Sequence, residues 1–287
     1  MPSKTPAPLI RHAWTALTAT AIGLLAGCAQ TPTSPAQQKQ AFQAHIEQEK
    51  VPFWRAQQAV LAKVMGQPPQ PGYKLVWTDL DEAERKQPVP HVLAQAMRHQ
   101  TPEDRDASMI WLRWRIIQGN ADARYAYAYA HMLSTSAAAG STRPMLPEAA
   151  AFLYLGRLSI AMDGARCADA ASPPVAQRRL EASPAMAPLL QYVTSGPAPE
   201  LLNARANAIA IEQMRGERAP QAWVCSLGAA SMLQAMSNGT VPQKVGEQHV
   251  VVDTSGGTPQ FVGDDVKRQR QQAIMGAQLQ ALVAQSR

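Results

Sequence analysis

The chain has 287 residues, 46% of them hydrophobic and only 6% aromatic. A hydrophobic share of that size excludes a disordered chain, and few aromatics beside abundant Ala and Gln favour helices packed through small side chains over a β-sandwich. The formal net charge of +6 comes from 27 basic and 21 acidic residues, scattered without the basic, aromatic-lined face that nucleic-acid binding needs.

Lys4 and Arg11 precede a run of apolar and small residues from Ala13 to Ala26. The run is too short, and too rich in Ala and Thr, for a comfortable membrane span, and it reads as the core of a secretory signal. It ends at Leu25-Ala26-Gly27-Cys28, which resembles the lipobox of bacterial lipoproteins. The resemblance implies that the Cys28 thiol is alkylated with diacylglycerol, that residues 1–27 are cut away, and that the new amine is acylated. Cys28 would then hold the protein on a membrane through acyl chains such as palmitate, each buried methylene contributing about 0.8 kcal/mol. Ala29 follows, not Asp, which by the family's sorting habit implies the outer membrane, on its periplasmic side. An ordinary secretory signal with a chance cysteine, or an uncleaved anchor, is the alternative. Lys4 and Arg11 leave with the signal, so the mature chain keeps 25 basic against 21 acidic residues, a net +4.

Residues 28–40 hold Pro, Thr, Ser and Gln with no large apolar side chain, the composition of a solvated tether. A helical domain is expected over 41–240, and a β-hairpin followed by a helix over 241–287. Helices are expected over 36–50 and 53–65, broken at Gln67-Pro-Pro-Gln-Pro-Gly72. Tyr73 to Trp77 reads as extended, and Asp79 or Asp81 as the cap of a turn reaching Arg85. His91 to Gln100 is a short helix. Thr101-Pro102-Glu103-Asp104 carries a strong helix start: a hydroxyl cap, Pro at the first position and acids in the first turn. The run from Ala107 to Gln118 is apolar nearly all round and should be buried. The next helix is expected over Ala121–Leu133, a loop over Ser134–Pro144, and a helix from Pro147 to about Met162.

Gln118-Gly-Asn-Ala-Asp-Ala-Arg-Tyr125, between two of these helices, resembles the inter-helix segment of Sel1-like repeats, relatives of tetratricopeptide repeats. In that family Gly turns the chain, Asp caps the second helix, and Ala and Tyr pack between helices. The resemblance implies a helix–turn–helix from Trp111 to Tyr129, with Glu148 to Phe152 opening the next. The Ser134–Pro144 loop and Asp163-Gly-Ala-Arg-Cys167 depart from the repeat pattern, and a chance αα-hairpin is the alternative.

Beyond Cys167 the chain is punctuated by Pro. Short helices fit 175–182 and 186–193, and a longer one runs from Pro199 to Gly216. Trp223 through Met236 suggests a final core helix, ended by Asn238-Gly239. Gln248 to Asp253 and Gln260 to Val262 read as a β-hairpin around Thr254–Pro259. Asp264-Asp265 then cap a Gln-rich helix to about Gln285, with Ile274, Met275, Leu279, Leu282 and Val283 on its apolar side. That side either docks on the domain or meets a partner. The fold class is thus mainly α, a helical-hairpin or irregular helical domain with a small C-terminal β-hairpin.

With Cys28 lipidated, Cys167 and Cys225 remain as an even pair in an oxidising compartment, which makes a Cys167–Cys225 disulfide the economical reading. A reactive or metal-binding thiol is the alternative. His45, His91, His99, His131 and His249 form no zinc spacing, and no phosphate loop is present, so no catalytic, metal or cofactor residue is assigned. Asp79, Asp81, Glu82 and Glu84 form an acidic cluster that could serve glycan hydrolysis, against the plainer reading of a solvated face. The expected function is protein binding, as a scaffold, adaptor or inhibitor in the bacterial envelope. A cell-wall enzyme or its accessory factor is the alternative.

Overall fold

The computed structural model describes residues 71–98, 101–118, 121–138, 145–215, 218, 221–241, 243–245, 249–251 and 258–285, with the isolated positions Gln40 and Ala44. The signal, Cys28, nearly all of the tether and the two helices expected before Gln67 lie outside the described residues, as do His45, His99 and the Gly119-Asn120 turn.

The first described helix, α1 (Pro71–Lys86), is continuous. The extended piece expected at Tyr73–Trp77 and the capped turn expected at Asp79 or Asp81 are therefore corrected. Trp77, Leu80 and Ala83 recur at helical spacing, and burying Leu80 and Ala83 outweighs the strand preference of Val76 and Trp77. Trp77 Nε1 also donates to the Ala107 carbonyl at 3.0 Å, fastening this face to the next helices. Helix α2 (Val89–Ala96) starts two residues before His91 and buries Val92, Leu93 and Ala96.

Helix α3 (Pro102–Ile117) begins as expected. The Thr101 hydroxyl accepts from the Asp104 amide, and the Asp104 carboxylate accepts from the Thr101 amide, both at 3.1 Å. Helix α4 (Ala123–Ala138) outruns its expected end and absorbs the start of the expected loop. The hydroxyls of Ser134, Thr135 and Ser136 donate back to the carbonyls of His131 and Met132, so polar side chains that usually favour loops are accommodated within the helix.

Helix α5 (Leu146–Gly164) is the centre of the molecule, buried along most of its length from Ala149 to Gly164. It lies between α4 and α8 (Ala198–Arg215), its two largest packing partners. At Gly156 a Cβ would fall 2.7 Å from the Tyr127 ring, so α4 and α5 approach more closely than any side chain there allows. Outward from this pair, α3 packs on α4 and α1 on α3, giving a stacked, repeat-like succession of helices. Helix α6 (Ser172–Glu181), a 3-10 turn at Pro184–Met186 and α7 (Ala187–Ser195) close one side.

The expected core helix from Trp223 through Met236 is also corrected. Ala222–Cys225 forms only a 3-10 turn, and the chain breaks before α9 (Ala229–Ser237). Gly228 sits so close to Asp169 that a Cβ would fall 2.0 Å from the Asp169 carboxylate, and Asp169 Oδ2 accepts from the Ala230 amide, so α9 starts afresh there. Only Ser231 and Ala235 of α9 are buried.

The hairpin expected between Gln248–Asp253 and Gln260–Val262 does not form, and the fold class is corrected to mainly α without it. Phe261 makes an isolated bridge to Cys167 instead. Ala168 donates to the Gln260 carbonyl at 3.0 Å and Val262 to the Arg166 carbonyl at 2.8 Å. The backbone beside Cys167 offers these free groups, and they take the partner that the hairpin would have used. His249–Val251 pairs with Gln243–Val245 over three residues. Helix α10 (Asp264–Gln285) docks on the domain: Leu279 and Leu282 pack with Leu158, Ile209 and Ala210 in a second apolar cluster, joined by Ile274 and Met275. Among the described residues no helix is long and apolar enough to cross a membrane.

Candidate functional site

Cys167 and Cys225 form the expected disulfide, with Cα atoms 5.1 Å apart. Both are buried, so neither is a reactive thiol in the folded chain.

The acidic cluster of α1 is divided in its duties. Asp81 Oδ1 accepts from Trp111 Nε1 at 2.8 Å, and Glu84 Oε1 from the Tyr125 hydroxyl at 2.8 Å. Glu84 also pairs with Arg115, whose guanidinium lies 5.6 Å from the Trp111 ring centroid. These two carboxylates fasten α1 to α3 and α4. Glu82 binds Lys86 on the exposed surface, and Asp79 is exposed. The cluster does not converge on one reacting point. His91 is exposed and His131 half-buried, its pKa lowered by burial.

The most perturbed charges lie elsewhere, in a buried network that the sequence reading missed. Its centre is Glu212 on α8. Glu212 Oε2 accepts from the Ser159 hydroxyl at 3.0 Å and from Arg215 at 3.3 Å, while Oε1 accepts from Arg218 at 2.7 Å. Arg218 also donates to Asp163 Oδ1 at 3.2 Å, and Arg215 reaches the Ala121 carbonyl at 2.5 Å. Beside it, Asp122 caps the start of α4 by accepting from the Arg124 amide at 2.8 Å. Its carboxylate also takes two bonds from the Arg124 guanidinium and one from Trp223 Nε1. Arg124 lies 4.6 Å from the Trp223 ring centroid. The network thus joins α4, α5, α8 and the turn that carries Cys225.

Burial sets the electrostatics. It pushes the Asp163 carboxyl up to about 6, only partly opposed by Arg218, and the like charge of Glu212 adds to the rise. Asp163 Oδ2 is buried without a hydrogen-bond partner, so its charge is poorly compensated. Burial and the neighbouring Arg218 pull Arg215 down to about 10. Asp122, Asp163 and Glu212 are each buried, and none of them lines either of two surface hollows that lie elsewhere. The arrangement ties helix ends together. Among the described residues no group of three or more metal-ligating side chains is placed to hold an ion.

The hollows flank Arg105. One, of about 520 Å³, is open and lies between Pro102, Arg105 and Met109 on α3, Ser136 on α4, and Met145. The other, of about 220 Å³, is lined by Met97, Arg105, His131, Met132 and Thr135. Arg105 itself is committed to the Met132 carbonyl and the Thr135 hydroxyl. The other surface feature is apolar: Leu233, Met236 and Val241, in and just beyond α9, are 67%, 45% and 77% exposed.

Comparison with known protein families, with curated proteins and with solved structures finds no significant match.

Proposed function

We propose that this chain is a lipid-anchored protein of the bacterial cell envelope that acts by binding another protein, as a scaffold, adaptor or inhibitor. The observation that carries the reading is Leu25-Ala26-Gly27-Cys28 behind a basic and then apolar N-terminus. Lipid on Cys28 and a tether over residues 28–40 would place the helical stack beside the periplasmic face of the outer membrane. The buried disulfide supports the reading, because such bonds persist in oxidising compartments. So do the stacked helices and the exposed large apolar side chains of α9, a surface suited to a protein partner.

Two measurements test it. Palmitate labelling of the expressed chain should vanish in Cys28→Ser, and labelling that persists there removes the anchor. A photoreactive amino acid at Leu233 should give a discrete crosslinked product in intact envelopes, weakened by Met236→Glu. A smear, or a product indifferent to Met236→Glu, removes the α9 surface from the proposal.

A further inference from the structure

We propose that the Cys167–Cys225 disulfide is a latch that holds two peripheral segments, residues 226–241 and 258–263, on a helical stack that stays folded without it. The inference is independent of the envelope reading.

The bond lies where the two segments meet the stack. On one side, the Cys225 carbonyl accepts from the Ser172 and Ser231 hydroxyls, both at 3.2 Å, which ties α6 to the start of α9. Helix α9 is further anchored at its cap, where Asp169 Oδ2 accepts from the Ala230 amide at 3.1 Å. On the other side, residues 260–262 are held by backbone bonds to Arg166 and Ala168, and Arg270 donates to the Cys167 carbonyl at 2.8 Å.

The apolar hold of the two segments is slight beside the stack's, with only Leu227 of them packed against the main core, partly buried. Helix α9 buries Ser231 and Ala235 while Leu233 and Met236 face solvent, and Phe261 is 47% exposed. Helices α3, α4, α5 and α8, by contrast, share the large core. The last turns of α10 hold through Leu279 and Leu282, independently of the cysteines. A unit with few buried apolar contacts opens first. Among the described residues, four of the seven exposed large apolar side chains, Leu233, Met236, Val241 and Phe261, belong to the two latched segments. The latch therefore decides how these side chains are presented.

Reduction by a dithiol supplies two electrons and two protons. The Sγ–Sγ bond breaks, Cys167 and Cys225 become thiols, and the dithiol closes into a cyclic disulfide. Hydrogen exchange on the full chain, oxidised and then held in dithiothreitol, tests the proposal. Amides of 226–241 and 258–263 should exchange at least about tenfold faster after reduction, while those of Leu146–Gly164 and Ala198–Arg215 change by less than about twofold. Equal acceleration everywhere would make the bond a staple of the whole fold, and no change in α9 would leave it without a latch. The Cys167→Ser/Cys225→Ser variant should reproduce the reduced pattern. If that variant fails to fold, the stack depends on the bond and the proposal is overturned. Asp169→Ala, with the disulfide intact, should speed exchange at the start of α9 and at Ala171, whose amide Asp169 Oδ1 also accepts, and unchanged exchange at the start of α9 would remove Asp169 from the latch.

Discussion

Lowering the pH from 7 to 5 should stabilise this fold through Asp163, and Asp163→Asn should abolish that gain. Burial raises the folded carboxyl from 3.8 to about 6. The folded state therefore holds a proton that the unfolded state has released across the window between those values. Stability then rises as pH falls through 6 and stops rising below about 4. One pKa unit is about 1.4 kcal/mol, so the whole window is worth about 3 kcal/mol and the step from pH 7 to 5 about 1 kcal/mol. His131 works the other way. Burial lowers its pKa, so the unfolded state binds its proton first and acid destabilises. Comparing Asp163→Asn with the natural chain cancels His131 and leaves Asp163. The assay is urea unfolding followed by circular dichroism at pH 5 and 7. The natural chain should gain about 1 kcal/mol more than the variant on acidification. An equal response in both would show that Asp163 is better solvated, or better paired to Arg218, than its unpartnered Oδ2 indicates.

Three further changes probe the stack. Gly156→Ala sets a Cβ 2.7 Å from the Tyr127 ring, which cannot swing away freely because its hydroxyl donates to Glu181. The cost should be about 1–3 kcal/mol by thermal unfolding. Thr101→Ala removes the cap of α3 and should cost about 1 kcal/mol, whereas Thr101→Ser should cost much less. Leu282→Ala opens the second cluster and should cost about 2–5 kcal/mol, with faster hydrogen exchange concentrated in α10.

Much of the stack is legible because its signals are local. Thr101-Pro102-Glu103-Asp104 satisfies helix-end amides with its own side chains, so four residues suffice to place the start of α3. The apolar face of α10 shows in Ile274, Met275, Leu279 and Leu282 at helical spacing. The expectations that failed concern competition between distant groups. Gln260 to Val262 has the composition of a strand, and composition is silent about its partner. The partner is the backbone beside Cys167, brought there by the fold. Trp223 to Met236 likewise looks like one helix until Asp169, some sixty residues away in sequence, takes the Ala230 amide and crowds Gly228.

The buried network was harder still, yet it left a mark. Asp163 ends an apolar helix, and Glu212 follows Ala208-Ile209-Ala210-Ile211, a run with no solvated face. A carboxylate embedded in such a run must be buried with a partner, because an isolated buried charge is too costly. That argument predicts Arg nearby, and Arg215 and Arg218 lie three and six residues on. It cannot predict Asp122 and Trp223, which arrive from another helix and a turn. Their arrival joins the network to the disulfide's own segment. The turn from Ala222 to Cys225 is thus held at Trp223 by a buried carboxylate and at Cys225 by a covalent bond. Beyond it, α9 is held through the Ser231 bond to the Cys225 carbonyl and the Asp169 bond to the Ala230 amide, so its hold passes through the residue that the covalent bond fixes.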